Sequence, residues 1–454
     1  MTASSSKRQL LIIVLAAGKG TRMKSAMPKV LHAVGGRSML GHVLALSECV
    51  QADKLAVVIG PGMDTVAKEV AKLAPNAAVY IQHNQRGTAD AVLAAREAMA
   101  GWQGDTLVLY ADTPLIQAPT IFKLREALAA GAGVAVLGFN AADPTGYGRL
   151  LTDTGGQLVA IREEKDASAD ERAVRLCNSG VMAFALEDTV AVLESVGNAN
   201  AKGEYYLTDA VEIARANGAK TAVVVCPETE VLGVNARDQL AVAEHLYQSA
   251  ARARAMADGA TLIAPETVWF SYDTRIGGDV IIEPNVFFGP GVTVADNVHI
   301  RANCHIEGAS IGEGARIGPF ARLRPGAKLG HDVHIGNFVE VKNVAMAAGS
   351  KANHLAYVGD GSVGAGANIG AGTIFCNYDG FNKHRTEIGD GAFIGSNSSL
   401  VAPVKIGAGA YVGSGSVITK NVSPGSLAVE RSAQEERPGW AEKFRTMMGR
   451  RNKT

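Results

Sequence analysis

Gly18, Lys19, Gly20, Thr21 and Arg22 follow the apolar run Leu10–Leu15 with only Ala16 and Ala17 between. Glycines at such a point let the backbone come close to a ligand and turn N–H groups toward it. Lys19 and Arg22 add two cations to the same turn. Together these residues make an anion cradle suited to the phosphates of a nucleotide. The stretch has neither the Walker A order GxxxxGK[ST] nor GxGxxG, which sets aside P-loop and dinucleotide readings. For the glycine pair alone, a solvated turn is the plain alternative.

Two further groups could do chemistry. Asp112, in "YADTPL", comes just after the apolar run Thr106–Tyr110. A carboxylate there can hold a hard cation or cap a turn. Much later, "RLRPGA", "VEVKN", "KANHLAYVGD" and "CNYDG" carry Arg324, Lys342, His354, Tyr357, Asn377 and Tyr378. Clustered cations suit a sugar phosphate, and an imidazole that titrates near ambient pH suits a general base. The His354 motif reads as an interruption of the aliphatic phase around it.

These residues need a scaffold, and the chain predicts two kinds. Residues 1–235 alternate apolar runs with helical patterns, which predicts parallel βα units. Expected strands are Leu10–Leu15, Leu55–Ile59, Ala78–Gln82, Thr106–Tyr110, Val134–Phe139 and Thr221–Val225. Expected helices include Asp64–Leu73 and Ala89–Ala100. In such sheets ligands sit at the carboxyl ends of strands. Residues 236–262 read as a linker helix, with Leu240, Ala243, Tyr247 and Ala250 on one face.

Residues 263–454 change period. Ile276, Ile282, Phe288, Val294, Ile300 and Ile306 stand six apart, and Ile311 to Val341 continue the pattern after a five-residue step. It resumes from Ile388 to Ile418. Such a repeat is the signature of a parallel β-helix. Between Ile369 and Ile388 the chain inserts "GAGTIFCNYDGFNKHRTE", predicted to leave the prism as a surface loop. The tail beyond Arg431 is polar and basic.

Composition narrows the class. The 454 residues carry 44 basic and 44 acidic side chains, so no broad nucleic-acid or anionic-membrane surface is expected. No apolar run is long enough to span a bilayer. Five scattered cysteines without CxxC spacing read as reduced cytosolic thiols. A cytoplasmic location is expected.

The motifs also stand in a familiar order: "LAAGKGTRM", "MPKVLHAVGGRSML" with Lys29, "IQHNQRGTADA", "YADTPL", "PTGYGRL", "IREEKDA", "CNSGV", "GEYYLTD" and "VLGVNARDQL". This series resembles the sugar-nucleotide pyrophosphorylases. With the six-residue repeat behind it, nearly the whole chain is similar to a bacterial bifunctional family. That family joins an N-acetylglucosamine-1-phosphate uridylyltransferase to a glucosamine-1-phosphate N-acetyltransferase.

The resemblance implies a Rossmann-like nucleotidyltransferase domain and a left-handed parallel β-helix. It implies UTP and acetyl-CoA as co-substrates, and glucosamine-1-phosphate and N-acetylglucosamine-1-phosphate as sugars. It also implies a homotrimer working in the synthesis of cell-envelope precursors. At the uridylyl site, Lys19 and Arg22 would stabilise pyrophosphate, with Lys29 at the reacting phosphates. Leu15, Ala16, Ala17, Gly18, Gln82, Gly87 and Thr88 would read uracil, with Tyr110 and Ala111 nearby. Gly148, Glu163, Asn178, Tyr206 and Thr208 would hold the sugar, and Asp112 with Asn235 would share Mg²⁺. At the acetyl site His354 would be the base. Arg324 and Lys342 would clamp phosphate, and Tyr357 and Asn368 would orient the sugar. Asn377, Tyr378, Ser396, Ser414 and Arg431 would contact acetyl-CoA. The family usually has glycine where Ala111 stands, so its methyl group is expected to crowd the backbone near the nucleotide. Two rival readings stay open: a single-activity pyrophosphorylase whose repeat only assembles it, and a non-enzymatic subunit of the same architecture.

Overall fold

A computed structural model of the chain describes residues 8–451. Residues 1–7 of the first expected domain and 452–454 of the tail lie outside the described residues. The chain divides into two compact units, Met1–Ala250 and Ala251–Thr454.

The centre of the first unit is the strand Leu10–Leu15, buried along its whole length. It pairs in parallel with Lys54–Ile59 on one side and Asp105–Tyr110 on the other. Ala78–Ile81 extends the sheet beyond Lys54–Ile59. Hydrophobic clusters fill both faces, as expected for strands that are apolar along their length.

The sheet is mixed, not all parallel. Leu176–Phe184 runs antiparallel between Asp105–Tyr110 and Val134–Asn140. Arg149–Thr152 and Leu158–Arg162 form an antiparallel hairpin. The cause of the hairpin is local. The Asp153 carboxylate accepts from the N–H groups of Gly155 and Gln157, each at 3.0 Å, and closes a turn too short for a parallel crossover. The expected helix Ala89–Ala100 breaks at Ala95 into Thr88–Ala94 and Arg96–Met99.

A long helix, Arg237–Ala257, crosses the division. Its Leu240, Ala243, Leu246 and Tyr247 join a cluster with Val34, Met39 and Leu115. Its Ala251 and Ala255 pack on the core of the second unit.

The second unit is a stack of very short parallel strands, each paired with the strand one coil on. The aliphatic of each six-residue step points inward and stacks on its equivalents. This phase does not stop at Val341. Met346, Ala352, Val358, Val363, Ile369 and Phe375 occupy the inward slot, all buried. Two five-residue steps and one alanine hide the continuity in the sequence. The His354 motif therefore interrupts nothing, because Ala352 fills the slot two residues earlier.

The ejected loop is shorter than expected. Ile374–Cys376 remains a strand, paired with Ser399–Val401. Residues 377–385 then leave the prism, and Thr386–Ile388 re-enters beside Val404–Ile406. In the tail, Glu430 to Gly449 are exposed and Trp440–Arg451 is helical.

Phe375 is fully buried where the chain leaves for the loop. Phe375→Ala should cost the second unit roughly 3–5 kcal/mol, the scale for a deleted core aromatic. Differential scanning calorimetry of the full chain should show one transition moving down. An unchanged trace would mean that the slot is not a packed core position.

Candidate functional sites

In the first unit, the carboxyl edge of the sheet opens into a cleft of about 280 Å³. Two ladder bonds extend the strands into it: Ala16 N–H donates to Val58 at 2.7 Å and Ala111 N–H to Leu15 at 3.0 Å. Leu15, Ala16, Ala17, Gly18 and Lys19 line one wall, and Gln82, Gly87, Thr88, Tyr110 and Asp112 line others.

The two glycines of the opening turn do different work. Gly20 has φ +61°, and a Cβ there would stand 2.5 Å from the Cβ of Lys29. It admits Lys29 to the site. At Gly18 an added Cβ would meet nothing within 4 Å. The fold therefore leaves Gly18 beside open space in the cleft. Gly87, at φ +138°, presses against the Tyr205 backbone.

Lys29 is buried, and its ammonium lies 2.5 Å from Asp112 Oδ2 and 2.9 Å from Asn235 Oδ1. Three distant segments meet there. Asn235 is brought in by its neighbour, since Val234 N–H donates to the Asp112 carbonyl at 2.9 Å. The Asn235 N–H is then tied to Gln239 Oε1 at 2.7 Å. One carboxylate and one amide oxygen thus converge on a cation. That donor set fits a hard divalent metal completed by phosphate and water oxygens. Among the described residues no cluster of three His, Cys, Asp or Glu could hold a metal unaided. Lys19 lines the cleft, Arg22 follows it in the same turn, and both are exposed.

Gln82 is buried and donates its amide to the Gly87 carbonyl at 3.0 Å and to Asp90 at 2.9 Å. Thr88 Oγ1 accepts from Leu207 N–H at 2.9 Å, which draws the Tyr206–Thr208 turn to the cleft. Glu163 and Asn178 flank Gly148, where a Cβ would be 3.3 Å from Glu163 Oε1. Burial raises the Glu163 pKa against the pull of Lys202. Burial, with Asp112 and Glu163 adding negative charge, raises that of Tyr110. Tyr206 is pushed up to about 12 by burial and by Asp166 and Glu163. The Tyr206 hydroxyl is buried without a partner, a state that a ligand hydroxyl would relieve.

The Ala111 methyl is fully buried in the hydrophobic core and does not itself line the cleft. Gln85 and Glu204 line the cleft and were not singled out in the sequence. The Gln85 amide donates to the Ala17 carbonyl at 2.7 Å, and only the folded chain brings the two together.

The second unit gathers a different group. Arg324 pairs with Glu340 at 2.8 Å and Lys342 with Asp360 at 3.5 Å. Asn377, at the start of the ejected loop, donates to Asp360 at 2.5 Å and to the Tyr357 hydroxyl at 3.2 Å. Burial alone would raise the Asp360 pKa. Hydrogen bonds from Asn343 and Asn377 and the charge of Lys342 outweigh it and hold the carboxyl lowered. Lys383 of the loop comes against Lys342, whose ammonium lowers the Lys383 pKa. Glu340, Asp360 and Lys383 were not anticipated. Asp360 and Glu340 carry a signal only once the coil spacing is known.

His354 is held by a different partner. Its exposed ring holds Nδ1 2.7 Å from the Asn337 side-chain oxygen, one coil away. If Nδ1 carries the proton it donates to that oxygen, leaving Nε2 with its lone pair. Asn368 lies on the ten-stranded sheet beside Lys351 and Phe393. Tyr378 is exposed on the loop, and its hydroxyl donates to the Gly380 carbonyl. Ser396 and Ser414 follow on later coils, and Arg431 donates to the Ser414 carbonyl at 2.8 Å. Ser396, Ser414 and Arg431 form no direct bond with His354 or with the Arg324–Lys342 group.

The fold and these two sites define a nucleotidyltransferase joined to a hexapeptide-repeat transferase. Residues 12–174 match the MobA-like NTP transferase domain. Residues 273–308, 308–343 and 385–420 match the bacterial transferase hexapeptide. The chain is 60% identical to the bifunctional protein GlmU of Azorhizobium caulinodans over 98% of its length and 99% of that protein. It is 60% identical to that of Xanthobacter autotrophicus over 97% of its length and 98% of that protein. Against the Bradyrhizobium protein of the same name it is 56% identical over the whole of both chains. The chain belongs to the GlmU family and is a bifunctional uridylyltransferase and acetyltransferase that makes UDP-N-acetylglucosamine.

The two glycines give a test. Gly18→Ala should leave the melting temperature unchanged, because its Cβ meets no protein atom, yet raise KM for UTP at least several-fold. Gly20→Ala, which collides with Lys29, should lower kcat as well. A Gly18→Ala enzyme with wild-type KM would mean that the nucleotide does not approach this backbone.

Proposed function

We propose that the cleft of the first unit binds UTP and N-acetylglucosamine-1-phosphate for in-line transfer. The sugar-phosphate oxygen forms a bond to the α-phosphorus as the bond to pyrophosphate breaks. Such a reaction needs positioning and charge neutralisation more than covalent help. The supporting observation is the meeting of Lys29, Asp112 and Asn235 beside the open backbone at Gly18. Asp112 and Asn235 would hold Mg²⁺, which when bound supplies positive charge to the phosphates. Lys29 neutralises the reacting phosphates, and Lys19 and Arg22 draw off pyrophosphate. Glu163, Asn178, Tyr206 and Thr208 hold the sugar against Gly148.

In the second unit, Arg324 and Lys342 clamp glucosamine-1-phosphate, with Tyr357 and Asn368 orienting its ring. His354 Nε2 takes the proton from the amine as it attacks the thioester carbon of acetyl-CoA, and CoA thiolate departs. Asn337 fixes the imidazole that does so. Asn377, Tyr378, Ser396, Ser414 and Arg431 line the path of acetyl-CoA.

We further propose that the chain works as a homotrimer in the cytoplasm, feeding cell-envelope synthesis. One surface feature supports self-association. Phe320, Phe338 and Leu355 hold left-handed backbone at φ 57°, 56° and 52°, where other coils have Asn285 and Asn303. All three are exposed, and the two phenyl rings stack at 5.1 Å. Bulky side chains in that conformation are strained and, when exposed, lose burial as well. A neighbouring copy that covers them offsets both costs. No helix among the described residues is long and apolar enough to cross a membrane.

Crossed variants test the two activities. Asp112→Ala should lower uridylyl transfer by roughly 10²-fold or more, the scale for a lost electrostatic group at a reacting centre, and spare acetyl transfer. His354→Ala should lower acetyl transfer by roughly 10²–10⁴, the scale for a general base, and spare uridylyl transfer. Pyrophosphate and free CoA thiol, followed in one assay, report both. Parallel loss of the two activities in a folded variant would refute independent sites.

A further inference from the structure

On the ten-stranded sheet, residues at one register position form an outward column. Arg316 pairs directly with His334, and His334 with Lys351. His334 thus stands between two cationic side chains, one on each neighbouring strand. Arg301, one residue past the strand His299–Ile300, faces the same place. Arg301, Arg316, His334, Asn337, Asn353 and His354 line one cavity of about 240 Å³.

Several other cations of the second unit have a carboxylate partner. His299, one rung before Arg316, has Glu283 at 2.9 Å. Arg324 has Glu340, Lys342 has Asp360, and Lys405 has Glu387. Among the described residues, neither Arg301, Arg316 nor Lys351 makes an ion pair. Only Asp332 opposes the field at His334, whose pKa is lowered by burial and by Arg316, Lys351 and Arg301. Arg301 and Arg316 therefore line the cavity with no carboxylate among the described residues paired to either. Two side-chain amides, Asn337 and Asn353, stand at the same wall.

We propose that this cavity binds a phosphate-class oxyanion, at a site separate from the uridylyl cleft and from the Arg324–Lys342 group. Two guanidinium groups suit the geometry of such an anion, which they engage through paired N–H donors. Occupancy offsets the unpaired positive charge of Arg301 and Arg316. Because His354 lines the same cavity, a bound anion stabilises its imidazolium form and slows acetyl transfer. That consequence rests on the reading of His354 as the base; the binding itself does not.

Equilibrium dialysis of the full chain with radiolabelled inorganic phosphate tests the binding directly. The wild type should bind saturably, and Arg301→Ser/Arg316→Ser should lose one equivalent, with uridylyl transfer unchanged. Arg316→Gln alone should weaken that equivalent at least tenfold and serves if the double variant folds poorly. Arg324→Ser should leave it in place. Equal binding by wild type and double variant, or no saturable binding by either, would overturn the proposal. So would a double variant that binds phosphate normally but sediments as a smaller species, since carboxylates of a second copy would then be the natural partners. A separate readout concerns His354. Phosphate should inhibit acetyl transfer by the wild type more than by the double variant. If binding is lost without any change in inhibition, the site stands and the reading of His354 falls.

Discussion

Parallel strand pairing is the constraint on which both sites depend. A parallel pair brings equivalent ends of its strands to the same edge. Leu15, Ile59 and Tyr110 accordingly finish together, and the glycine turn, Gln82 and Asp112 are delivered to one cleft without any side chain having to reach far. The same rule acts differently in the prism. There each side chain lies beside the one a coil away, so a residue's neighbour is chosen by register. Asn337 meets His354 for that reason, and so do the cations of the Arg316 column.

The two units use this constraint with opposite economies. In the first, long apolar strands supply stability, and the loops beyond them are free to carry polar groups. In the prism the strands are mostly two residues long, and most six-residue steps send two side chains into the core, as Val280 and Ile282 do. The outward positions of these short strands are mostly exposed. Polar chemistry can occupy them coil after coil, provided that the inward positions stay apolar.

Much of this was legible because it depends on local pattern. Leu10–Leu15 and Thr221–Val225 read as strands from their apolar runs, and Ile276 to Val341 declared a repeat. What stayed hidden depends on direction or distance. A nine-residue strand such as Leu176–Phe184 reads the same whether its partners run with it or against it. Ala352 is too small to announce an inward slot, and the five-residue steps at Val341 and Val358 disguised the phase. The methyl of Ala111 has no direction in a sequence, and only the packed sheet sends it to the core. Gln85 and Glu204 reach the cleft, and Asp360 reaches Lys342 and Asn377, through folds of the chain that no short motif records.

The ejected loop has a consequence of its own. Nine residues, 377–385, stand between Cys376 and Thr386, where the next coil spans the same corner with only Ala402 and Pro403. The stack on either side keeps its register, and an isolated bridge between Tyr378 and Lys383 gives the loop a neck of its own. The prism thus keeps its stacking across a nine-residue excursion. Asn377 and Lys383 lead the excursion back against Asp360 and Lys342, so the appendage is moored to the very spool it leaves.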